Sequence, residues 1–213
     1  MQPGRESCLG SFPITAVWHP SWMRQSRLRA RLRSTAADQL LVLTRRSELG
    51  TRYSGYVLAV GSKWVLLART ADGGFFDGHI AFRLTDLHHV RNDTSFESRA
   101  AQLRPEWPPR IPKGLLNVDL DRTRNVLKAF GADGSIIAVQ KDRRLDLMWV
   151  GVVDEIRRHW VYLREVRPTG DWKDQPLGYR LRRIAVIERN GQYLRGLADV
   201  AGTKPPATST SKE

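Results

Sequence analysis

Shifted by 96 residues, the sequence lies on itself, and the coincidences fall at positions that decide a fold. Leu49 meets Leu145, Tyr53 meets Trp149, Gly55 meets Gly151, Val57 meets Val153, and Trp64 meets Trp160. Val65, Leu67, Gly74 and Phe76 meet Val161, Leu163, Gly170 and Trp172. One inserted residue moves the offset to 97, after which Phe82, Arg83, Leu84, Leu87, Val90 and Phe96 meet Tyr179, Arg180, Leu181, Ile184, Ile187 and Tyr193. The charged positions between them drift, as expected where cores and turns are shared and surfaces are not. The chain is therefore read as two copies of one unit, Leu40 to Leu103 and Ile136 to Val200.

Each copy contains short apolar runs rich in β-branched and aromatic residues, bounded by Gly, Asp and Asn. In the first they are Leu40 to Thr44, Tyr53 to Val60, Trp64 to Thr70, His79 to Leu84 and Leu87 to Val90. In the second they are Ile136 to Gln140, Met148 to Val153, Trp160 to Val166, Tyr179 to Leu181 and Ile184 to Ile187. Five strands in a unit of this size predict a mainly β fold with short helices: two tandem small SH3-like or Sm-like barrels, each preceded by a helix. Gly55 and Gly151 fall mid-strand, where glycine marks a sharp bend or bulge. Val65 and Leu67 alternate with Trp64 and Leu66, and the Val/Leu parity recurs as Val161 and Leu163, so that face is assigned to the core.

The helices are placed at Met23 to Arg33, where Leu28 and Leu32 lie one turn apart, and at Asp121 to Phe130. Asp121 is the expected N-cap and Gly131 the stop. Pro105, Pro108, Pro109 and Pro112 define a stiff connection over residues 105–116. Residues 1–22 lack either period and a secretory signal, and are read as a disordered extension. Residues 202–213 are read as a disordered tail, leaving 23–104 and 117–201 as the two folded regions.

The formal net charge is +13, from 35 Lys and Arg against 22 Asp and Glu, and six of the arginines precede Gln39. Charge of this sign favours polyanions. A single cysteine, Cys8, excludes an intramolecular disulfide and points to a cytoplasmic protein. No apolar run is long enough for a transmembrane helix, so no membrane partner is expected.

The string GYVLAVGSKWVLLARTADGGFFDGHIAFRLTD from Gly55 to Asp86, followed by a Pro-rich joint and a weaker second copy, resembles a family of actinobacterial proteins. The resemblance covers Leu40 to about Ala201 and implies tandem Sm-like or SH3-like barrels. It extends to the broader Sm-like class, in which a barrel with an N-terminal helix binds RNA and assembles into rings, and the GYVLAVGSKWVLL run resembles the PRC-barrel class. Sm-like uridine pockets use an Asp and Asn pair in the turn between the second and third strands. Here that turn reads Gly61, Ser62, Lys63 in one copy and Ile156, Arg157, Arg158, His159 in the other, and only Arg189, Asn190, Gly191 approach the later Arg-Gly element.

The expected function is a non-enzymatic module that binds RNA. Its contacts are assigned to Arg24, Arg27 and Arg31 on one helix face and to the turn residues Lys63, Arg157 and Arg158. The plainer reading of the arginines is a solvated helix face. For the aromatics Trp64 and Trp160, packing is weighed against base stacking. A protein-interaction or scaffold module using barrel edge strands, including self-association, is the alternative, as is an accessory to ribosomes. His79, His88 and His89 carry no HExxH pattern, Asp77-Gly78 reads as a turn, and neither a phosphate loop nor a nucleophile elbow is present. No catalytic residue, metal or cofactor is therefore assigned.

Overall fold

The computed structural model describes residues 21–48, 50–142 and 147–206. The matched pair Leu49 and Leu145, nearly all of the extension assigned to residues 1–22, and the end of the tail lie outside them. Helix α1 spans Ser21–Ser34 and is followed by β1 (Leu41–Arg45), β2 (Arg52–Val60), β3 (Trp64–Ala71), β4 (Phe75–Arg83) and β5 (Leu87–Asn92). After α2 (Phe96–Gln102) and α3 (Thr123–Phe130) come β6 (Ile136–Lys141), β7 (Met148–Ile156), β8 (Trp160–Glu165), β9 (Leu177–Arg180), β10 (Ile184–Arg189) and α4 (Gln192–Ala201).

All ten strands pair antiparallel in one open sheet of order β5-β1-β2-β3-β4-β10-β6-β7-β8-β9. The first five elements of that order recur, strand for strand, in the last five. Both second strands carry a bulge at the matched residue, between Val57 and Ala59 and between Val153 and Glu155. Gly55 and Gly151 are explained by close approach: a Cβ at either would collide with a carbonyl oxygen of the neighbouring strand, Ala68 or Arg164. The strand pairing closes neither half. The outer edge of β4 is hydrogen-bonded to β10, with Val186 opposite Phe82 and Glu188 opposite Ile80, while β9 and β5 remain the sheet's edges.

Two apolar clusters flank this joint. One gathers Val65, Leu67, Phe82 and Val90 under Leu28 and Leu32 of α1, and it takes in Val186 from β10. The other gathers Val161, Leu163, Tyr179 and Ile187 under Val126, Leu127 and Phe130 of α3, and it takes in Trp64, Leu66 and Ala81 from the first half. The Val/Leu face of β3 is thus core, as the alternation requires, but Trp64 and Leu66 on the opposite face are equally buried. Alternation within one strand could not reveal this, because the second layer is supplied by a helix about sixty residues away.

Several local expectations need correction. Thr123 begins α3, and its N-cap is Arg122, without a side-chain cap; Asp121 is not the cap. The Asp121 carboxylate instead accepts the Ser62 N–H, and this bond holds it below the usual carboxylate range. Asp77-Gly78 is not a turn but lies inside β4, where Gly78 takes φ +72° because the Arg189–Gly191 backbone leaves no room for a side chain. The β3–β4 turn is made by Asp72–Gly74. Helices α2 and α4 were not predicted; each follows the last strand of its half and carries the matched Phe96 or Tyr193 in its first turn.

Charge crosses the β4·β10 joint. Arg69 lies 2.7 Å from Glu188 and 3.6 Å from Asp77. Burial pushes the Glu188 carboxyl above its ordinary pKa, with Asp77 adding to the rise and Arg69 opposing it. A carboxyl whose folded pKa exceeds its unfolded value binds its proton more tightly in the folded chain. Stability therefore falls as pH rises from the ordinary glutamate value through the raised one. Denaturation of Glu188→Gln across this window is expected to lose that part of the pH dependence; an unchanged profile would assign the slope elsewhere.

Candidate nucleic-acid interface

The β2–β3 turn and the residues closing β4 meet at one end of the first half, and the β7–β8 turn and the end of β9 meet in the same way in the second. The backbone repeats bond for bond: Gly61 N–H donates to Trp64 O and Leu84 N–H to Lys63 O, while Arg157 N–H donates to Trp160 O and Leu181 N–H to His159 O. A cleft opens at each place. The first is lined by Gln25, Ser26 and Arg29 of α1 with Ser62, Lys63, Arg83, Leu84 and Thr85. The second, of about 480 Å³, is lined by Arg158, His159, Trp160, Arg180, Leu181 and Arg182.

The predicted contact residues divide between these clefts. Lys63 is exposed on the rim of the first, and Arg158 is exposed on the rim of the second. Arg27 and Arg31 are exposed on α1, and neither lines the cleft; Arg29 is the arginine of the helix that does. Arg31 is held by the Asn92 side-chain oxygen at 3.0 Å. Arg24 is in α1, but its side chain falls outside the described residues. Arg157 is exposed and already partnered: its Nε–H donates to both Glu155 oxygens at 2.9 Å, its carbonyl accepts Arg124, and its guanidinium lies over Tyr162.

Arg180 and Arg182 were not assigned from sequence, although the match of Arg83 to Arg180 was a usable signal. Arg83 and Arg180 each lie 5.1 Å above a tryptophan, Trp64 and Trp160 respectively. Their donors have different fates. Arg83 donates to the carbonyls of Ile184 at 2.7 Å and Leu181 at 2.8 Å and to Thr123 Oγ1 at 3.2 Å, so it is spent joining the halves. Arg180 and Arg182 are exposed and, among the described residues, neither has an ion pair or hydrogen-bond acceptor.

Other candidate chemistry is sparse. His79 is half-buried, and burial lowers its imidazole pKa against the opposing bond to the Arg110 backbone; His88 and His89 are exposed on the β5 edge. Among the described residues no group of three His, Cys, Asp or Glu side chains could hold a metal ion. No described helix is long and apolar enough to cross a membrane. No family model, curated protein or solved structure matches the chain, so the geometry of these two clefts is what speaks to function.

Proposed function

We propose that the protein is a non-enzymatic module that binds RNA at its two basic clefts, each half serving as an Sm-like unit. One observation carries this reading: corresponding turns of the two halves converge on clefts rimmed by cations, Arg29 and Lys63 in one and Arg158, Arg180 and Arg182 in the other; no carboxylate among the described residues lines either cleft, and Asp121, bonded to Ser62, stands beside Lys63. Guanidinium groups such as Arg180 and Arg182, without a hydrogen-bond acceptor among the described residues, suit phosphate oxygens, which they bind through paired, charge-assisted hydrogen bonds. The duplicated strand order supports the same site occurring twice on one chain.

The edge-strand alternative has its own supporting observation, since β4 and β10 already pair edge to edge inside the chain. The two remaining edges are poorly matched to it. Val186, which fills the first cluster across the joint, corresponds to exposed His89 on β5, and β9 has only four residues with Pro176 immediately before it.

Fluorescence anisotropy with a labelled single-stranded RNA of about 12 nucleotides, titrated over a range of salt, tests the RNA reading. Engagement of about four phosphates predicts a slope of log K against log salt near −3. Lys63→Glu and Arg158→Glu are each expected to weaken binding about tenfold or more, whereas Arg99→Glu on α2 changes it little. No binding at about 50 mM salt, or equal losses for all three variants, overturns the proposal.

A further inference from the structure

The two tryptophans at corresponding ends of β3 and β8 have opposite surroundings, and the difference identifies a ligand surface. Trp64 is fully buried; Leu120 packs beside it, Thr123 accepts its indole N–H at 3.2 Å, and the carbonyls of Leu181 and Ile184 take the donors of the arginine above it. This half shows what the arrangement accepts: an apolar group beside the ring and hydrogen-bond acceptors against the guanidinium. Trp160 and Arg180 repeat the pair with no segment of the described chain laid over them, and Trp160 is only half-buried.

The residues around the second pair also change in one direction. Leu66, Ala81, Ser62 and Thr85 correspond to Tyr162, Gly178, Arg158 and Arg182, so aliphatic packing gives way to a second ring, bare backbone and two cations. Trp160 and Tyr162 point to the same side of β8, two residues apart. Both rings border Gly178 of β9, where an added Cβ would lie 3.1 Å from Tyr162 and 3.5 Å from Trp160. Glycine at that position keeps both rings lying close against the strand.

We propose that Trp160 and Tyr162, beside Gly178, form a stacking platform for two adjacent bases of single-stranded nucleic acid: Arg180 and Arg157, which lie over the two rings in the free chain, give way to the bases, and Arg158, Arg180 and Arg182 take the flanking phosphates. The inference rests on the RNA reading above and sharpens it, because it assigns base contact to the second half alone; the first half's equivalent surface is consumed by the chain itself. Base–aromatic stacking tolerates any base, so the platform binds unstructured strands with little sequence preference.

The test uses the full chain and a single-stranded 12-nucleotide RNA of mixed sequence. Trp160→Leu and Tyr162→Leu keep apolar bulk and remove the rings; each is expected to weaken binding about tenfold while leaving the salt slope unchanged. Arg182→Ala is expected to lower the slope by about 1. Trp160→Phe, which retains a ring, restores most of the affinity, and Gly178→Val, which crowds both rings, imitates their loss; circular dichroism and thermal melts confirm that each variant is folded. Salt-dependent RNA binding that is indifferent to the folded leucine variants overturns the platform and spares the RNA reading. Absence of RNA binding by the wild type overturns both. A wild-type dimer in light scattering that Trp160→Leu converts to monomer assigns the surface to a second copy and likewise overturns the platform.

Discussion

Asp86→Ala is expected to destabilise the protein by about 3–5 kcal/mol, measured by urea denaturation, because it strips the more buried of two carboxylate partners from a cation with no access to solvent. Arg45, at the end of β1, is 0 % exposed. Its Nε donates to Asp86 at 2.6 Å, and its Nη1 donates to Glu48 at 3.0 Å and to the Gln140 side-chain oxygen of β6. Burial disfavours the guanidinium charge, yet the Asp86 hydrogen bond and charge prevail and raise its pKa. Ser47 also donates to Asp86, at 2.9 Å. Replacing the pair is a different matter: Arg45→Met together with Asp86→Leu removes the buried cation and its more buried carboxylate, leaves the more exposed Glu48 to water, and is expected to cost much less than the single Asp86 change. If the double variant is no better than Asp86→Ala, the cost lies in lost polar geometry and not in an orphaned charge.

A comparable loss, about 3–5 kcal/mol, is expected for Trp64→Ala, while Trp160→Ala is expected to cost about 1 kcal/mol or less. Sequence assigns the two residues to one position and would predict one number. The structure separates them because Trp64 fills the space between β3 and the segment leading into α3, and leaves a large cavity when truncated, whereas Trp160 loses contact chiefly with solvent, Arg180 and Gly178. Thermal or chemical denaturation of the two variants side by side checks this. Equal losses would mean that Trp160 also supports the fold, and would weaken its assignment to a ligand.

These contrasts show what could be read from the sequence. The ten strands were found within a few residues at most ends, because each is a short β-branched or aromatic run closed by turn residues, and duplication gave every assignment a second witness. What failed was the relation between copies. Nothing in the run Trp64 to Ala71 states that β4 will pair with β10, so the burial of both faces of β3 was invisible. At the candidate site the structure adds partners and placement that residue spacing does not carry. Charge and exposure nominate Arg157, and the structure adds its exposed ion pair with Glu155 two residues earlier. Helical spacing grouped Arg24, Arg27 and Arg31, yet Leu28 and Leu32 dock α1 in a way that turns Arg29 to the cleft. Arg182 has no arginine counterpart in the first copy, so a search for shared residues passed over it. Helices α2 and α4 were missed because each is short and its apolar side rests on neighbouring elements, with propensity contributing little.

The exchange of Val186 for Trp64, Leu66 and Ala81 across the β4·β10 joint has a consequence for how the molecule comes apart. Each half lends side chains to its neighbour's interior, so a protease cut in the Pro-rich connection would leave two fragments that stay bound. Neither fragment, made alone, would have a complete interior of its own. Co-expressed, the pair would reconstitute the fold as a split protein, with the two basic clefts contributed by separate polypeptides.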